Sequence, residues 1–145
     1  MTAAVICLLG DRQYAIPVAD ILEVAAMVHL TPLPESAPEL LGLANRHGEV
    51  LPILDLRLCL GHDASPTTMN TLFVVVRDAD MMAGLVVDDI REVAQLPAET
   101  SKPPAHSGPY VKEVAILNEQ PVLVLNVQAI LRAFAPTDLG VESDA

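Results

Sequence analysis

The chain has 145 residues, 52% of them hydrophobic, and its 19 acidic side chains against 8 basic ones give a net charge of -11. This length suits a single domain with its own core, and the acidic charge argues against binding to nucleic-acid phosphates or to an anionic membrane surface. No run of about 18 apolar residues, long enough to span a bilayer, occurs. The mean hydropathy of +0.42 is high, which leaves open whether the apolar surplus is all core or partly an exposed patch for a partner.

The first apolar run lies in the opening segment "MTAAVICLLGDRQ" and is short and strand-like, with no basic residue before it. We therefore predict a strand here rather than a signal peptide, and a cytoplasmic location is the default expectation. Cys7 and Cys59 each stand alone inside an apolar run. This pattern predicts two reduced, buried thiols.

Short apolar runs separated by turn residues recur along the chain and predict a mainly β protein. Runs of about 4–6 residues rich in Val and Ile are typical of strands. The predicted strands are Val5–Leu9, Tyr14–Pro17, Val50–Leu54, Leu72–Val76, Ala83–Val87, Val114–Leu117 and Val122–Leu125. Stretches rich in Pro, Ser, Thr and Gly predict loops at Thr31–Glu39, Gly61–Asn70 and Pro97–Pro109.

An internal repeat divides the chain into two similar halves. The segment "DILEVA" at Asp20–Ala25 recurs 69 residues later as "DIREVA" at Asp89–Ala94, and "LPILDLRLCL" at Leu51–Leu60 matches "VLVLNVQAIL" at Val122–Leu131, 71 residues later. A unit of about 70 residues is too long for a solenoid repeat and suits a small closed barrel of roughly five strands. We therefore expect one domain over residues 1–135 with barrel-like lobes at about 1–70 and 71–135, and a disordered tail over 136–145.

Asp55 and Asn126 occupy equivalent positions in the two halves, at the end of a strand and before a helical apolar pattern. Both residue types are preferred at helix N-caps, because a side-chain oxygen accepts from a free N–H of the first turn. Since the second half has Asn, the position does not require an ionised group. We predict structural caps rather than catalytic carboxylates.

The sequence offers little support for catalysis or metal binding. The four histidines, His29, His47, His62 and His106, include no pair at helical spacing, and the two cysteines are far apart in sequence, so a metal site would need long-range convergence. No nucleophile elbow or phosphate-binding glycine loop occurs. We predict a protein without enzymatic activity, cofactor or metal. Two hypotheses remain: an adaptor that binds partners in an aliphatic groove, and a sensor or carrier module that holds a small molecule in a cleft between the barrels.

Four segments then occur in a characteristic order. They are "GDRQYAIPVADILEV", "PELLGLANRHGEVLPILDLRLCLG", "AGLVVDDIREV" and "PYVKEVAILNEQPVLVLNVQAIL". Together they resemble the CheW-like domain of chemotaxis coupling adaptors, from about Ala3 to Phe134. The resemblance implies two tandem five-stranded SH3-like barrels and a scaffold that links the cytoplasmic tip of a chemoreceptor (a methyl-accepting chemotaxis protein) to the regulatory domain of a CheA-type histidine kinase. It implies no nucleic acid and no direct membrane insertion.

The resemblance also implies binding positions on the two barrels. Receptor helices of the family lie in the groove between the barrels, which here corresponds to Ile21, Val24, Gly42, Leu43, Gly84, Val86 and Ile90. For each aliphatic residue, an ordinary place in the core is an equal alternative. The kinase-facing end of the second barrel corresponds to Lys102, Pro103 and His106, and a solvated loop is the alternative for Lys102.

The tetrapeptide Asn45, Arg46, His47 and Gly48 corresponds to a turn and interface of the family that usually reads Asn-Leu-Arg-Gly. His47 stands where the family has Arg, and Ala26 stands where it has the Glu that pairs with this Arg. Losing both members together avoids an unpaired charge and implies a divergent or pathway-specialised adaptor. The sequence leaves open whether Arg46 substitutes for the missing Arg.

Overall fold

Ten strands and two short helices form the part of the chain that this computed structural model describes, residues 2–63 and 65–136. The strands are β1 Thr2–Leu9, β2 Arg12–Pro17, β3 Ile21–Ala26, β4 Leu40–Arg46, β5 Glu49–Asp55, β6 Leu72–Asp78, β7 Met81–Val87, β8 Asp89–Leu96, β9 Val111–Leu117 and β10 Gln120–Leu125. The helices are α1 Leu56–Cys59 and α2 Val127–Phe134. The seven predicted strands are all present, and β3, β4 and β8 are additional to them. The mainly β prediction is confirmed.

The strands form two five-stranded sheets with the same internal arrangement. One sheet, lobe A, has the order β8-β1-β2-β10-β9, and the other, lobe B, has the order β3-β6-β7-β5-β4. Neighbouring strands are antiparallel except β2 with β10 and β5 with β7, which are parallel. Each lobe therefore has one parallel pair between two antiparallel hairpins.

Each sheet closes into a barrel through a bridge near its two edges. In lobe B the segment after β3 returns to the opposite edge strand, where Thr31 and Leu43 exchange two backbone hydrogen bonds of 2.8 Å. In lobe A, Ser101 and Val114 do the same with bonds of 2.9 and 2.8 Å. Closure satisfies edge groups that an open sheet would expose. The prediction of two five-stranded barrels is confirmed.

The lobes do not coincide with the halves of the repeat, so the lobe boundaries expected at 1–70 and 71–135 need correction. Each half reads β-β-β-β-β-α, but its first two strands belong to one lobe and its next three to the other. Lobe B is continuous in sequence from β3 to β7, whereas lobe A combines β1 and β2 with β8, β9 and β10. The third strand of each half crosses to the opposite sheet, so the two repeats are intertwined. The predicted tail lies outside the described residues from position 137 onward.

Three apolar clusters form the core, one inside each barrel and the largest between them. Successive side chains of a strand point to opposite faces, so Phe73 and Val75 of β6 fill lobe B, while Val74 and Val76 enter the central cluster between the lobes. Both helices also contribute to the central cluster, for example through Ile130 of α2. The space between the barrels is thus packed with fully buried side chains, and the cleft required for an enclosed small molecule is filled.

Both cysteines are free and buried, Cys7 at 0% and Cys59 at 6% exposure, as the sequence predicts. Removal from water disfavours the thiolate and raises the pKa of each thiol to about 12. These residues are core side chains with protonated thiols at neutral pH.

Candidate partner-binding surfaces

The Asn45–Gly48 segment forms the tight turn between β4 and β5. His47 and Gly48 have φ values of 52° and 84°, the left-handed backbone that two-residue hairpin turns need to match strand twist. The Gly48 N–H donates to Asn45 Oδ1 at 3.0 Å. Asn45 and Gly48 therefore stabilise this turn in the way their residue types predict.

Arg46 takes part in an ion pair, which bears on whether it substitutes for the family's missing Arg. Its guanidinium Nε donates to Glu23 Oε2, and the His47 ring lies 3.7 Å from the same carboxylate oxygen. Glu23 belongs to β3 and Arg46 to β4, the two edge strands of lobe B. An ion pair between the two edge strands of lobe B is therefore present, formed by Glu23 and Arg46 in place of the pair that Ala26 and His47 lack.

Three of the predicted groove positions are interior. Val86 is fully buried in the core of lobe B. Gly84, on the same strand, lies where a Cβ would be 2.7 Å from side-chain carbons of Ile53 and Phe73. Gly42 is also buried, and a Cβ there would lie 2.9 Å from the Thr31 carbonyl oxygen. For Val86 this is the core alternative that the sequence left open, because its side chain points into the barrel. At Gly42 and Gly84 a side chain would meet atoms already packed there.

The other predicted groove positions reach the surface to different degrees. Ile21 and Ile90 are partly buried and pack against the central cluster, and Leu43 is partly buried beside the Thr31 bridge. Val24 is 44% exposed. It pairs with Val74 of the central cluster, and since directly opposite residues share a sheet face, Val24 lies at the margin of the interface between the lobes.

Sequence reasoning missed two further exposed apolar residues on the same kind of margin. Leu22 is the extra residue of a bulge between β3 and β6 and is 41% exposed. Val93 is 66% exposed on β8 and pairs with Val5, which in turn pairs with Ile16 of the central cluster. Val93 is the repeat equivalent of Val24. The repeat was the signal that could have revealed it, because both valines occupy the same place in "DILEVA" and "DIREVA".

Lys102, Pro103 and His106 lie in the loop between β8 and β9 at one end of lobe A. Lys102 and His106 are exposed, and Pro103 is partly buried. His106 lines a pocket of about 430 Å³. Its walls come from this loop, the β1–β2 turn, the residue that follows α1 and the β9–β10 hairpin, including Arg12, Leu60 and Leu123. The pocket gives this end of the barrel a largely apolar recess with polar side chains at its rim.

Asp55 and Asn126 are helix N-caps, as the sequence predicts: Asp55 Oδ1 accepts from the Arg57 N–H at 3.1 Å, and Asn126 Oδ1 accepts from the Ala129 N–H at 3.0 Å. Asp55 has a second role that requires its charge. Its two oxygens accept from Nε and Nη2 of Arg57 at 2.8 and 3.0 Å, with both side chains buried. The ionised pair raises the pKa of Arg57.

Sequence reasoning also missed a further member of this network. Arg57 Nη1 donates to Asp88 Oδ1 at 3.2 Å, so Asp88 continues the network into the segment that leads from lobe B to lobe A. The Asp-Leu-Arg motif contained the signal for Arg57, but the fold alone brings Asp88 to it.

No group of three metal-ligating side chains converges within residues 2–63 and 65–136. In the same part of the chain, neither helix is long and apolar enough to cross a membrane.

The chain is similar to known proteins in both sequence and fold. A family model described as the CheW-like domain matches residues 3–135. The chain is 30% identical over 129 residues to the chemotaxis protein CheW of Helicobacter pylori, covering 86% of this chain and 78% of that protein. It is 31% identical over 138 residues to protein PilI of Pseudomonas aeruginosa, covering 92% and 77%. Its fold matches that of the scaffolding protein TtCheW from Thermoanaerobacter tengcongensis, with a TM-score of 0.80 at 22% identity over 86% of this chain and 88% of the other.

Proposed function

Because the chain belongs to the CheW-like domain family, we propose that it is a non-enzymatic chemotaxis adaptor that couples chemoreceptor tips to a CheA-type histidine kinase. Relatives named as chemotaxis proteins support the signalling role. Such an adaptor works in the cytoplasm, where receptor tips and kinase meet. The structural observation that carries the proposal is the pair of aliphatic margins of the interface between the lobes. One margin is formed by Leu22 and Val24 on β3, and the other by Val93 on β8.

The receptor tip is proposed to lie along these margins. Leu22 and Val24 on β3 and Val93 on β8 present exposed apolar side chains beside a packed central cluster. An amphipathic helix recognises such a surface with its apolar face and needs few polar anchors. Of the groove positions that the resemblance implied, Val24 is kept in the proposed receptor surface. Leu22 and Val93 are added to it.

Ile90 is less suitable for testing this surface. It is partly buried and packs against the central cluster, so replacing it with Glu would place a charge at the edge of the core. Loss of binding in that variant would not separate a contact from a folding defect. Val24 offers the cleaner test because nearly half of it is already in water.

The kinase regulatory domain is proposed to dock on the end of lobe A that carries Lys102, Pro103 and His106. Its recess is lined by apolar residues such as Leu60 and Leu123, with Arg12 and His106 among the polar residues. An apolar recess with a polar rim is the usual anatomy of a binding hot spot. Lys102 is exposed, and it supplies a positive charge for the partner.

Titration of the full chain against a receptor signalling-tip hairpin and, separately, against the kinase regulatory domain tests the proposal. Val24→Glu is expected to weaken receptor binding by about tenfold or more, as expected for a central contact, without affecting the kinase. Lys102→Glu is expected to weaken kinase binding and to leave receptor binding unchanged. Calorimetric titration measures both affinities.

Val50→Glu is the matched control, because Val50 is 55% exposed on β5 and lies on neither margin strand. It introduces the same charge into a similar environment. The proposal fails if the unmodified chain binds neither partner, and the receptor surface is wrong if Val50→Glu weakens receptor binding as much as Val24→Glu does.

A further inference from the structure

Asp88 holds together three segments at one side of the interface between the lobes. Its Oδ1 accepts from Arg57 Nη1 at 3.2 Å, and its Oδ2 accepts from the Gly10 N–H in the β1–β2 turn at 2.6 Å. Its own backbone N–H donates to the Leu8 carbonyl at 3.0 Å. Arg57 belongs to α1, which follows β5 within lobe B, whereas Leu8 and Gly10 belong to lobe A. One carboxylate thus ties a turn of one lobe to a guanidinium fixed on the other.

The guanidinium itself has little freedom to move. Arg57 is 3% exposed and bound by both oxygens of Asp55, and its Nη2 also donates to the Ser65 carbonyl at 3.0 Å. A bidentate pair with a carboxylate fixes the plane of the group as well as its position. Arg57 therefore presents Nη1 to Asp88 in one orientation, and displacement of the lobes would break a charged contact.

The residues at the equivalent positions of the other half cannot form such a network. The repeat places Gln128 at the position of Arg57, Ala19 at that of Asp88 and Ala79 at that of Gly10. Neither Gln128 nor Ala19 can form a charged contact. The apolar central cluster is shared by both sides and is not directional, whereas the charged Asp55–Arg57–Asp88 network is directional and favours one arrangement of the lobes over neighbouring ones.

We infer that Arg57 and Asp88 are positioning residues that fix the orientation of lobe A on lobe B and thereby control binding of a partner that touches both lobes. For the identity of that partner, the receptor tip, the inference rests on the proposed function. Neither residue is proposed to touch the receptor. They act through the relative placement of β3 and β8, whose exposed valines form the two margins.

Residual dipolar couplings of the full chain measure lobe orientation without any partner. One alignment tensor is expected to fit both lobes of the unmodified protein, whereas Asp88→Ala is expected to need two differently oriented tensors. Asp89→Ala is the matched control, since its carboxylate is adjacent and accepts a local hydrogen bond from the N–H of Ile90. The inference is overturned if one tensor with unchanged lobe orientation fits Asp88→Ala, or if Asp89→Ala changes the orientation equally.

Receptor-tip affinity then tests the consequence. Asp88→Ala is expected to lower it about fivefold or more, within the usual range of coupling between sites, and Asp89→Ala is expected to leave it unchanged. Asn126→Ala removes the α2 cap and serves as a control for lost stability alone; an equal loss of affinity in that variant would contradict positioning. If Asp88→Ala does not fold, Asp88→Asn removes the charge, retains an acceptor and is judged by the same couplings. Failure of the unmodified chain to bind the receptor tip would refute the proposed function, while the couplings would still decide the inference.

Discussion

At the scale of single residues, Gly84 and Gly48 are glycines for different physical reasons. Gly84 has no room for a Cβ between Ile53 and Phe73, whereas Gly48 has open space around it and a φ of 84°. We expect Gly84→Ala to destabilise the fold by about 1–3 kcal/mol through overpacking and Gly48→Ala by about 1 kcal/mol through backbone strain. Urea denaturation measures both losses. Unchanged stability in Gly84→Ala would mean that Ile53 and Phe73 can move aside.

The same residue scale explains why only part of the surface could be predicted. Val24 and Val86 are similar residues in similar apolar strands, yet one is 44% exposed and the other fully buried. The difference depends on strand position, since β3 is an edge strand of lobe B and β7 its central strand. The turn at Asn45–Gly48 could be predicted because its backbone conformation depends on local residue types.

At the scale of secondary-structure elements, the caps of α1 and α2 look interchangeable in sequence and differ in energetics. Asp55 binds a buried guanidinium in addition to its cap, whereas Asn126 only caps. We expect Asp55→Asn to cost about 3 kcal/mol or more, because it keeps the cap acceptor and leaves a buried charge poorly compensated. Asn126→Asp, the reciprocal change, is expected to cost less than about 1 kcal/mol. Thermal and urea unfolding of both variants give the comparison, and equal losses would show that the charge of Asp55 is dispensable.

The strands that sequence reasoning missed share one feature at this scale. β3 and β8 each contain a bulge and mix apolar residues with Glu, so neither has the alternation typical of a strand. β4 contains Gly42 within its apolar run, and glycine in a strand often marks an irregularity. The seven strands that were predicted have continuous apolar runs because most of them lie between a barrel core and the central cluster.

At the scale of the whole molecule, the repeat predicted two barrels correctly and divided the chain between them incorrectly. A strand that stays in its own sheet and a strand that crosses to the neighbouring sheet can have the same local sequence. What decides between them is the connection: β2 leads through Val18–Asp20 into the other lobe, and β7 returns through Asp88. Such a choice depends on long-range packing around the central cluster, which no periodicity within a single repeat encodes.

The exchange of strands makes a sharp prediction about fragments. A fragment of residues 1–70 has only the hairpins β1–β2 and β4–β5, because β3 loses β6, and β5 loses β7. Isolated hairpins are marginally stable in water, so we expect this fragment to be unfolded. A fragment of residues 18–88, of nearly equal length, keeps all five strands of lobe B. It is expected to show a dispersed amide spectrum and β-type circular dichroism, despite an exposed central-cluster face that lowers its solubility. A folded 1–70 fragment would mean that the repeat can form a barrel from its own strands, and that the intertwined arrangement is one of two accessible to this chain.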